Sequence, residues 1–92
     1  MIVSFKCADT QAVYEGRRVA RFANLLAAIE RKLQMLDSAA TINFLRSPPG
    51  NRLEALDGDR KGQHSIRIND QWRICFVWTA NGPAEVEIVD YH

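Results

Sequence analysis

Residues 72–78 decide the fold, and they run Trp72-Arg73-Ile74-Cys75-Phe76-Val77-Trp78. Large apolar side chains occupy every second position of this stretch. Because successive side chains of a strand point to opposite faces of a sheet, the alternation predicts a strand with one apolar face. Arg73 then lies in the middle of that strand, on its opposite and more polar face.

Neighbouring segments share the period of two, which predicts further strands at residues 53–56, 64–68 and 85–91. Turn sequences separate them, among them Asn69-Asp70-Gln71 and Asn81-Gly82-Pro83. Short turns between strands favour an antiparallel meander. A short first strand is also predicted at Ile2–Phe5.

The chain before this meander has a helical period instead. Apolar residues recur at spacings of three and four, which predicts a single amphipathic α-helix from Val19 to about Asp37 with the stripe Val19, Phe22, Leu26, Ile29, Leu33 and Leu36. A short helix is predicted at Thr10–Glu15 with Asp9 as its N-cap, and one more helical turn at Thr41–Arg46. The connector Ser47-Pro48-Pro49-Gly50-Asn51 ends the helical part. The fold class is therefore α+β, with N-terminal helices packed on a small antiparallel sheet.

Length and composition limit the possible functions. The 92 residues predict one domain, 1–92, with a net charge of only +1. No glycine-rich phosphate loop is present, and two histidines are too few for a confident metal site, so no cofactor and no metal are expected. The two cysteines lack metal-ligand spacing and predict reduced thiols in a cytoplasmic protein. No apolar run is long enough for a membrane span.

Three features could carry chemistry, and each has a structural alternative. Arg73 on a rigid strand suits phosphate binding, or it forms an ion pair with Glu85, Glu87 or Asp90 on a neighbouring strand. Asp90-Tyr91-His92 offers titratable groups, or it is an exposed terminus without a role. Arg60 and Lys61, in a loop between Gly58 and Gly62, could clamp a phosphate backbone or lie in a solvated turn.

These residues together resemble a known family. The stretch from Leu53 to Phe76, with Gly58-Asp59-Arg60-Lys61-Gly62 and Trp72-Arg73-Ile74, and the ending Asp90-Tyr91-His92 resemble HigB-type toxins of the RelE superfamily. The resemblance implies a microbial-RNase-like fold and cleavage of mRNA in the ribosomal A site. It implies neutralisation by a helix-turn-helix antitoxin of the HigA type. The toxin would then contact operator DNA only through this antitoxin. The resemblance also implies that Arg73, Asp90, Tyr91 and His92 belong to the active site.

The sequence departs from the family pattern at two positions. Asp57 stands where some members carry a lysine, and Glu54 stands where some carry a histidine. An anion near the scissile phosphate would repel the charge that develops there. Either Arg60 or Lys61 supplies the cation instead, or cleavage is weak, and lower activity than in a lysine-bearing relative is expected. Glu54 is then the candidate base in place of the histidine.

The mechanism expected from this resemblance uses the 2′-hydroxyl of the RNA as nucleophile and needs no metal. Arg73 would clamp the phosphate, His92 would act as general acid or base oriented by Asp90, and Tyr91 would stack on a base or donate a hydrogen bond. The RNA backbone would contact Arg60, Lys61 and Arg67. On this hypothesis Arg73→Ala abolishes toxicity and leaves the fold intact.

Two alternatives stay open. One is a non-catalytic module that binds its antitoxin and co-represses the operon, its site having degenerated at Asp57 and Glu54. The other is a gyrase inhibitor of the ParE type. Arg73 and His92 favour the RNase over the gyrase inhibitor, and the first process to stop on induction, translation or DNA replication, separates them.

Overall fold

The computed structural model describes residues 1–47 and 49–90. Two α-helices come first, α1 at Ala8–Tyr14 and α2 at Leu26–Ser38. Four strands follow, namely β1 at Glu54–Ala55, β2 at His64–Arg67, β3 at Trp72–Thr79 and β4 at Gly82–Asp90. The strands pair in the order β1-β2-β3-β4, and every pairing is antiparallel. The predicted α+β class and meander are confirmed.

The predicted first strand at Ile2–Phe5 is wrong. This segment runs beside β4 and forms only an isolated parallel bridge between Phe5 and Val86. The cause is a bulge in β4, where Glu85 and Val86 together face the single residue Phe76 and Glu85 has a φ of 51°. A bulge interrupts a ladder of hydrogen bonds, and the Glu85 amide donates to the Ser4 hydroxyl at 2.9 Å instead of to a backbone carbonyl.

The predicted helix from Val19 to Asp37 is only partly correct. Residues Ala20–Leu25 form a 3-10 helix, and the α-helix begins at Leu26, after a break at Leu25 with φ −116° and ψ 3°. The tighter winding rotates the stripe, so Leu26 is exposed rather than buried.

The other helical predictions need smaller corrections. The helix α1 begins two residues earlier than predicted, with Cys7 rather than Asp9 at its N-cap position. Asp9 lies in its first turn, where its carboxylate accepts a hydrogen bond from Arg21 at 3.0 Å. The extra turn predicted at Thr41–Arg46 is present as a 3-10 helix at Ile42–Arg46.

The core lies between α2 and the apolar face of the sheet. Ile29, Leu33 and Leu36 of α2 are buried, and they belong to one cluster with the sheet residues Ile66, Ile74, Phe76, Val86 and Ile88. Trp72 completes this face with an edge-on contact to Phe22, at 5.6 Å between the ring centroids. The alternation predicted for β3 is therefore confirmed, and the sheet has one face committed to the core.

Asn51 holds the connector between α2 and the sheet. Its side chain is fully buried, accepts a hydrogen bond from Lys32 Nζ at 2.5 Å and donates one to the Leu45 carbonyl at 3.2 Å. Burial, together with the positive charges of Arg31 and Arg67, lowers the pKa of Lys32. The chain that enters β1 is thereby tied to the helical layer.

Among residues 1–47 and 49–90, no helix has the length and apolar character that crossing a membrane requires.

Gly82 opens β4 where the amino-terminal segment comes closest. Its φ of +126° is unfavourable for any L side chain, and a Cβ there would overlap the Met1 carbonyl oxygen. We expect Gly82→Ala to lower the free energy of unfolding by about 1–3 kcal/mol, measured by urea denaturation.

The matched control is Gly50→Ala, because a Cβ at Gly50 meets no atom within 4 Å. Its effect should stay within about 0.5 kcal/mol. Equal losses of unfolding free energy in the two variants would show that the close contact between residue 82 and the Met1 carbonyl does not require glycine.

Candidate functional site

The second face of the sheet gathers the polar residues. Directly opposed residues of an antiparallel sheet share a face, so the register aligns one row across all four strands, Glu54, Ser65, Cys75 and Glu87. The adjacent row on the same face is Arg67, Arg73 and Val89. We call the surface formed by these two rows the polar face.

Arg73 is the centre of the polar face. It is only 8% exposed, and its Nε donates a 2.7 Å hydrogen bond to the Ser65 hydroxyl. Its Nη2 donates a 2.6 Å hydrogen bond to the Arg52 carbonyl and lies 4.0 Å from Glu54 Oε1. Hydrogen bonds at two nitrogens of a planar guanidinium fix both its position and its orientation.

This geometry bears on two expectations about Arg73. Among its described contacts, the nearby carboxylate is that of Glu54 on β1, whereas Glu87 pairs with Arg60 at 3.2 Å. The guanidinium also supports the fold, because its removal leaves the Arg52 carbonyl without its donor. We therefore expect Arg73→Ala to reduce stability, contrary to the hypothesis that this variant leaves the fold intact.

Charged groups surround the buried thiol beside Arg73. Burial raises the pKa of Cys75, while the charges of Arg60, Glu87, Arg73 and Lys6 also act on that pKa. Lys6 reaches the sheet through its backbone, where its N–H donates a 3.0 Å hydrogen bond to the Val86 carbonyl of β4. Sequence analysis missed this residue, because it precedes α1 and no periodic pattern links it to the sheet.

The three cations predicted to contact RNA differ in their surroundings. Arg60 donates through Nη1 to both Gln63 and Glu87, and Arg67 forms an ion pair with Asp70. Lys61 is exposed and forms no ion pair with any described residue. Only Lys61 of the three thus presents a charge that no carboxylate of the described chain balances.

The predicted acid–base residues are brought together only in part. Glu54 lies beside Arg73, and its side chain is half-exposed. Asp90 ends β4 opposite Trp72, which places it on the face of Trp72 rather than that of Arg73, and it accepts a hydrogen bond from Gln71 at 3.0 Å. Tyr91 and His92 lie outside the described residues.

Asp57, the second departure from the family pattern, is exposed. It directly precedes the 3-10 helix Gly58–Arg60 and thus begins the loop that carries Arg60 and Lys61. An added negative charge therefore sits next to two cations that are candidates for binding RNA.

Within residues 1–47 and 49–90, no group of three or more His, Cys, Asp and Glu side chains could hold a metal ion. Two cavities of about 340 and 360 Å³ adjoin α1 and α2, and both are lined by Val13, Gly16 and Glu30. The residues of the polar face do not line either of them. At the centre of the polar face Ser65 and Cys75 are buried and Arg73 is only 8% exposed, whereas Glu54 at its edge is half-exposed.

Comparison with solved structures shows that the fold is known. The chain superimposes on a chain of the YoeB-YefM complex from Staphylococcus aureus with a TM-score of 0.62, covering 100% of this chain and 98% of that chain at 18% identity. At this low identity, the likeness establishes the fold and nothing beyond it.

Comparison of sequences establishes the family. The chain is 39% identical to Toxin HigB-1 of Vibrio cholerae serotype O1, covering 100% of this chain and 98% of the relative. It is 35% identical to Endoribonuclease HigB of Proteus vulgaris, with both chains covered completely. Residues 6–92 match the model of the HigB-like toxin family, described as RelE-like toxin of type II toxin-antitoxin system HigB. The chain therefore belongs to the HigB-like toxins.

Proposed function

We propose that this toxin is an endoribonuclease that cleaves mRNA in the ribosomal A site by metal-independent attack of the 2′-hydroxyl. The observation that carries the proposal is the buried, doubly hydrogen-bonded guanidinium of Arg73 on the polar face. The similarity to a relative named Endoribonuclease HigB supports RNA as the substrate. The toxin would act in the cytoplasm and need no cofactor.

RNA cleavage by this route makes few demands on the protein. The 2′-hydroxyl attacks the adjacent phosphorus, a base takes its proton, and an acid protonates the departing 5′-oxygen. Negative charge on the phosphate oxygens rises in the transition state, so a fixed cation stabilises that state most. Arg73 supplies such a cation, because its orientation is set before the RNA binds.

Glu54 is the candidate base in the described part of the chain. It lies 4.0 Å from Arg73 Nη2, so a phosphate bound to Arg73 would lie near its carboxylate. The family resemblance places His92, Asp90 and Tyr91 in the active site. With Glu54 as base, His92, oriented by Asp90, would act as the acid, and Tyr91 would stack on a base or donate a hydrogen bond. These assignments divide proton removal and proton delivery between two groups.

Arg60, Lys61 and Arg67 are assigned to the RNA backbone. Lys61 can bind a phosphate directly, whereas Arg60 and Arg67 would exchange or share their carboxylate partners. Exchange costs little for Arg67, because its partner Asp70 is fully exposed and surface ion pairs contribute little to stability. The pair of Arg60 with Glu87 is partly buried, so sharing is the easier route there. The ribosome would hold the mRNA in a reactive geometry that a surface of this size cannot impose alone.

The partner that neutralises the toxin is proposed to be a helix-turn-helix antitoxin, which would also carry the pair to operator DNA. The match to a family described as the toxin of a type II toxin-antitoxin system supports an antitoxin as the partner. Asp57 and Glu54 favour one rival function, a non-catalytic co-repressor that has kept only antitoxin binding. Blocked DNA replication before any loss of translation would instead indicate a gyrase inhibitor.

The deciding experiment uses purified ribosomes programmed with a defined mRNA, with free mRNA as comparison. We expect cleavage on the ribosome and none of the free mRNA. We expect Arg73→Lys to lower the rate at least about 100-fold, because lysine keeps the charge but loses the planar fork that grips phosphate.

Two controls accompany this experiment. Arg17→Ala removes an exposed arginine that pairs with Glu15 and should cleave normally. Urea denaturation should show that Arg73→Ala unfolds more easily by about 1–3 kcal/mol, so Arg73→Ala alone cannot separate chemistry from stability. A folded Arg73→Lys variant with full activity would refute the role of Arg73, and no cleavage by the folded parent would favour the co-repressor.

A second prediction concerns Asp57. Reversing its charge with Asp57→Lys should raise the cleavage rate by about tenfold, because a cation replaces an anion near the developing charge. Asp59→Lys makes the same change in net charge two residues further along the loop and should have a smaller effect. Equal effects of the two variants would attribute the gain to overall charge rather than to a site at Asp57.

A further inference from the structure

Arg52 has an unusual backbone for its residue type. Its φ is 45°, in the left-handed region that glycine adopts readily and that other residues adopt at a cost. Among the described residues only Arg52 and Glu85 are non-glycine residues with positive φ, and Glu85 belongs to the bulge in β4. Backbone strain of this kind persists only where the surrounding structure holds the residue in that conformation. Such residues are concentrated at functional sites.

The conformation of Arg52 is held from both sides. Its carbonyl accepts the 2.6 Å hydrogen bond from Arg73 Nη2. The preceding residue, Asn51, is buried and bonded to Lys32 and to the Leu45 carbonyl. The backbone of Arg52 is thus tied to the helical layer on one side and to the centre of the polar face on the other.

The side chain of Arg52 is available to a ligand. It is exposed, and within residues 1–47 and 49–90 it forms no ion pair and no hydrogen bond. Arg60 and Arg67, by contrast, already face the carboxylates of Glu87 and Asp70. An exposed arginine whose backbone contacts Arg73, and which forms no ion pair with a described carboxylate, is better suited to recruit a phosphate than either of these.

We infer that Arg52 is an RNA-binding residue that grips a backbone phosphate beside the one held by Arg73. The inference deepens the proposed function and rests on it for the identity of the ligand. Arg73 then acts in two ways. Its guanidinium binds phosphate, and its hydrogen bond to the Arg52 carbonyl positions Arg52. A left-handed arginine costs stability that a glycine would not, so the side chain at this position serves binding rather than folding.

The test is Arg52→Gly, with binding as the readout instead of cleavage. The probe is a short 2′-O-methyl RNA oligonucleotide, which lacks the nucleophile and cannot be cut by the proposed route. Its affinity is measured by fluorescence anisotropy over a range of salt concentrations. We expect Arg52→Gly to weaken binding about fivefold or more at low salt and to reduce the slope of log affinity against log salt by about 0.7.

Stability and a matched variant separate binding from folding. Arg52→Gly should unfold at the same or a higher urea concentration than the parent, because glycine relieves the backbone strain. Arg52→Lys should retain the salt slope, since it keeps the charge. Arg18→Gly removes another exposed arginine without an ion pair among the described residues and should leave both affinity and slope unchanged.

Each outcome bears on one claim. Unchanged affinity and slope in Arg52→Gly, or an equal loss in Arg18→Gly, would overturn the inference. Parental binding that depends on Arg52 but is not followed by cleavage of programmed mRNA would refute the proposed chemistry and leave Arg52 as an RNA-binding residue. A parent that binds no RNA oligonucleotide would overturn the inference about Arg52 and leave the proposed function to the test on programmed ribosomes.

Discussion

The buried guanidinium of Arg73 is the interaction on which the polar face depends. A cation in the middle of a sheet is costly unless its N–H groups are hydrogen-bonded. Ser65 supplies one acceptor from β2, and the Arg52 carbonyl supplies another from the connector before β1. Those two bonds keep a charged group at the centre of a sheet that packs its other face on α2, and they fix its direction. The same bonds draw the connector against the strands, so one side chain organises both the local fold and the candidate site.

The two faces of the sheet have different roles, since one forms the core and the other carries the charged residues. The apolar face packs on α2, and its residues Ile74 and Phe76 belong to the same buried cluster as Ile29 of that helix. The polar face can then carry charges that a core could not accommodate. Its electrostatics are nearly balanced by pairs such as Arg60 with Glu87, which limits non-specific attraction to nucleic acid. A surface with one fixed cation and little net charge suits an mRNA that the ribosome holds in place.

The sequence predicts what is periodic and misses what depends on tertiary contacts. Alternation in β3 placed Arg73 on the polar face, and the turn sequences predicted the meander. Alternation along β3 could not show that Arg73 is buried, because the residues that cover Arg73 belong to the connector around Arg52. The positive φ of Arg52 was likewise invisible, since arginine gives no local signal for it. The predicted helix from Val19 began too early because tertiary packing winds Ala20–Leu25 into a 3-10 helix. Tyr91 and His92 were assigned by resemblance, and those roles stay predictions.

The central claim is that the polar face cleaves RNA by attack of the 2′-hydroxyl, and it is tested most directly by removing that hydroxyl. Programmed ribosomes would carry either an all-ribose mRNA or the same mRNA with one 2′-deoxy nucleotide immediately before the scissile phosphate. The account predicts that the toxin cuts the first mRNA, leaving a 2′,3′-cyclic phosphate, and does not cut the second at that bond. Equal cleavage of the two would show that another nucleophile is used and would contradict the account.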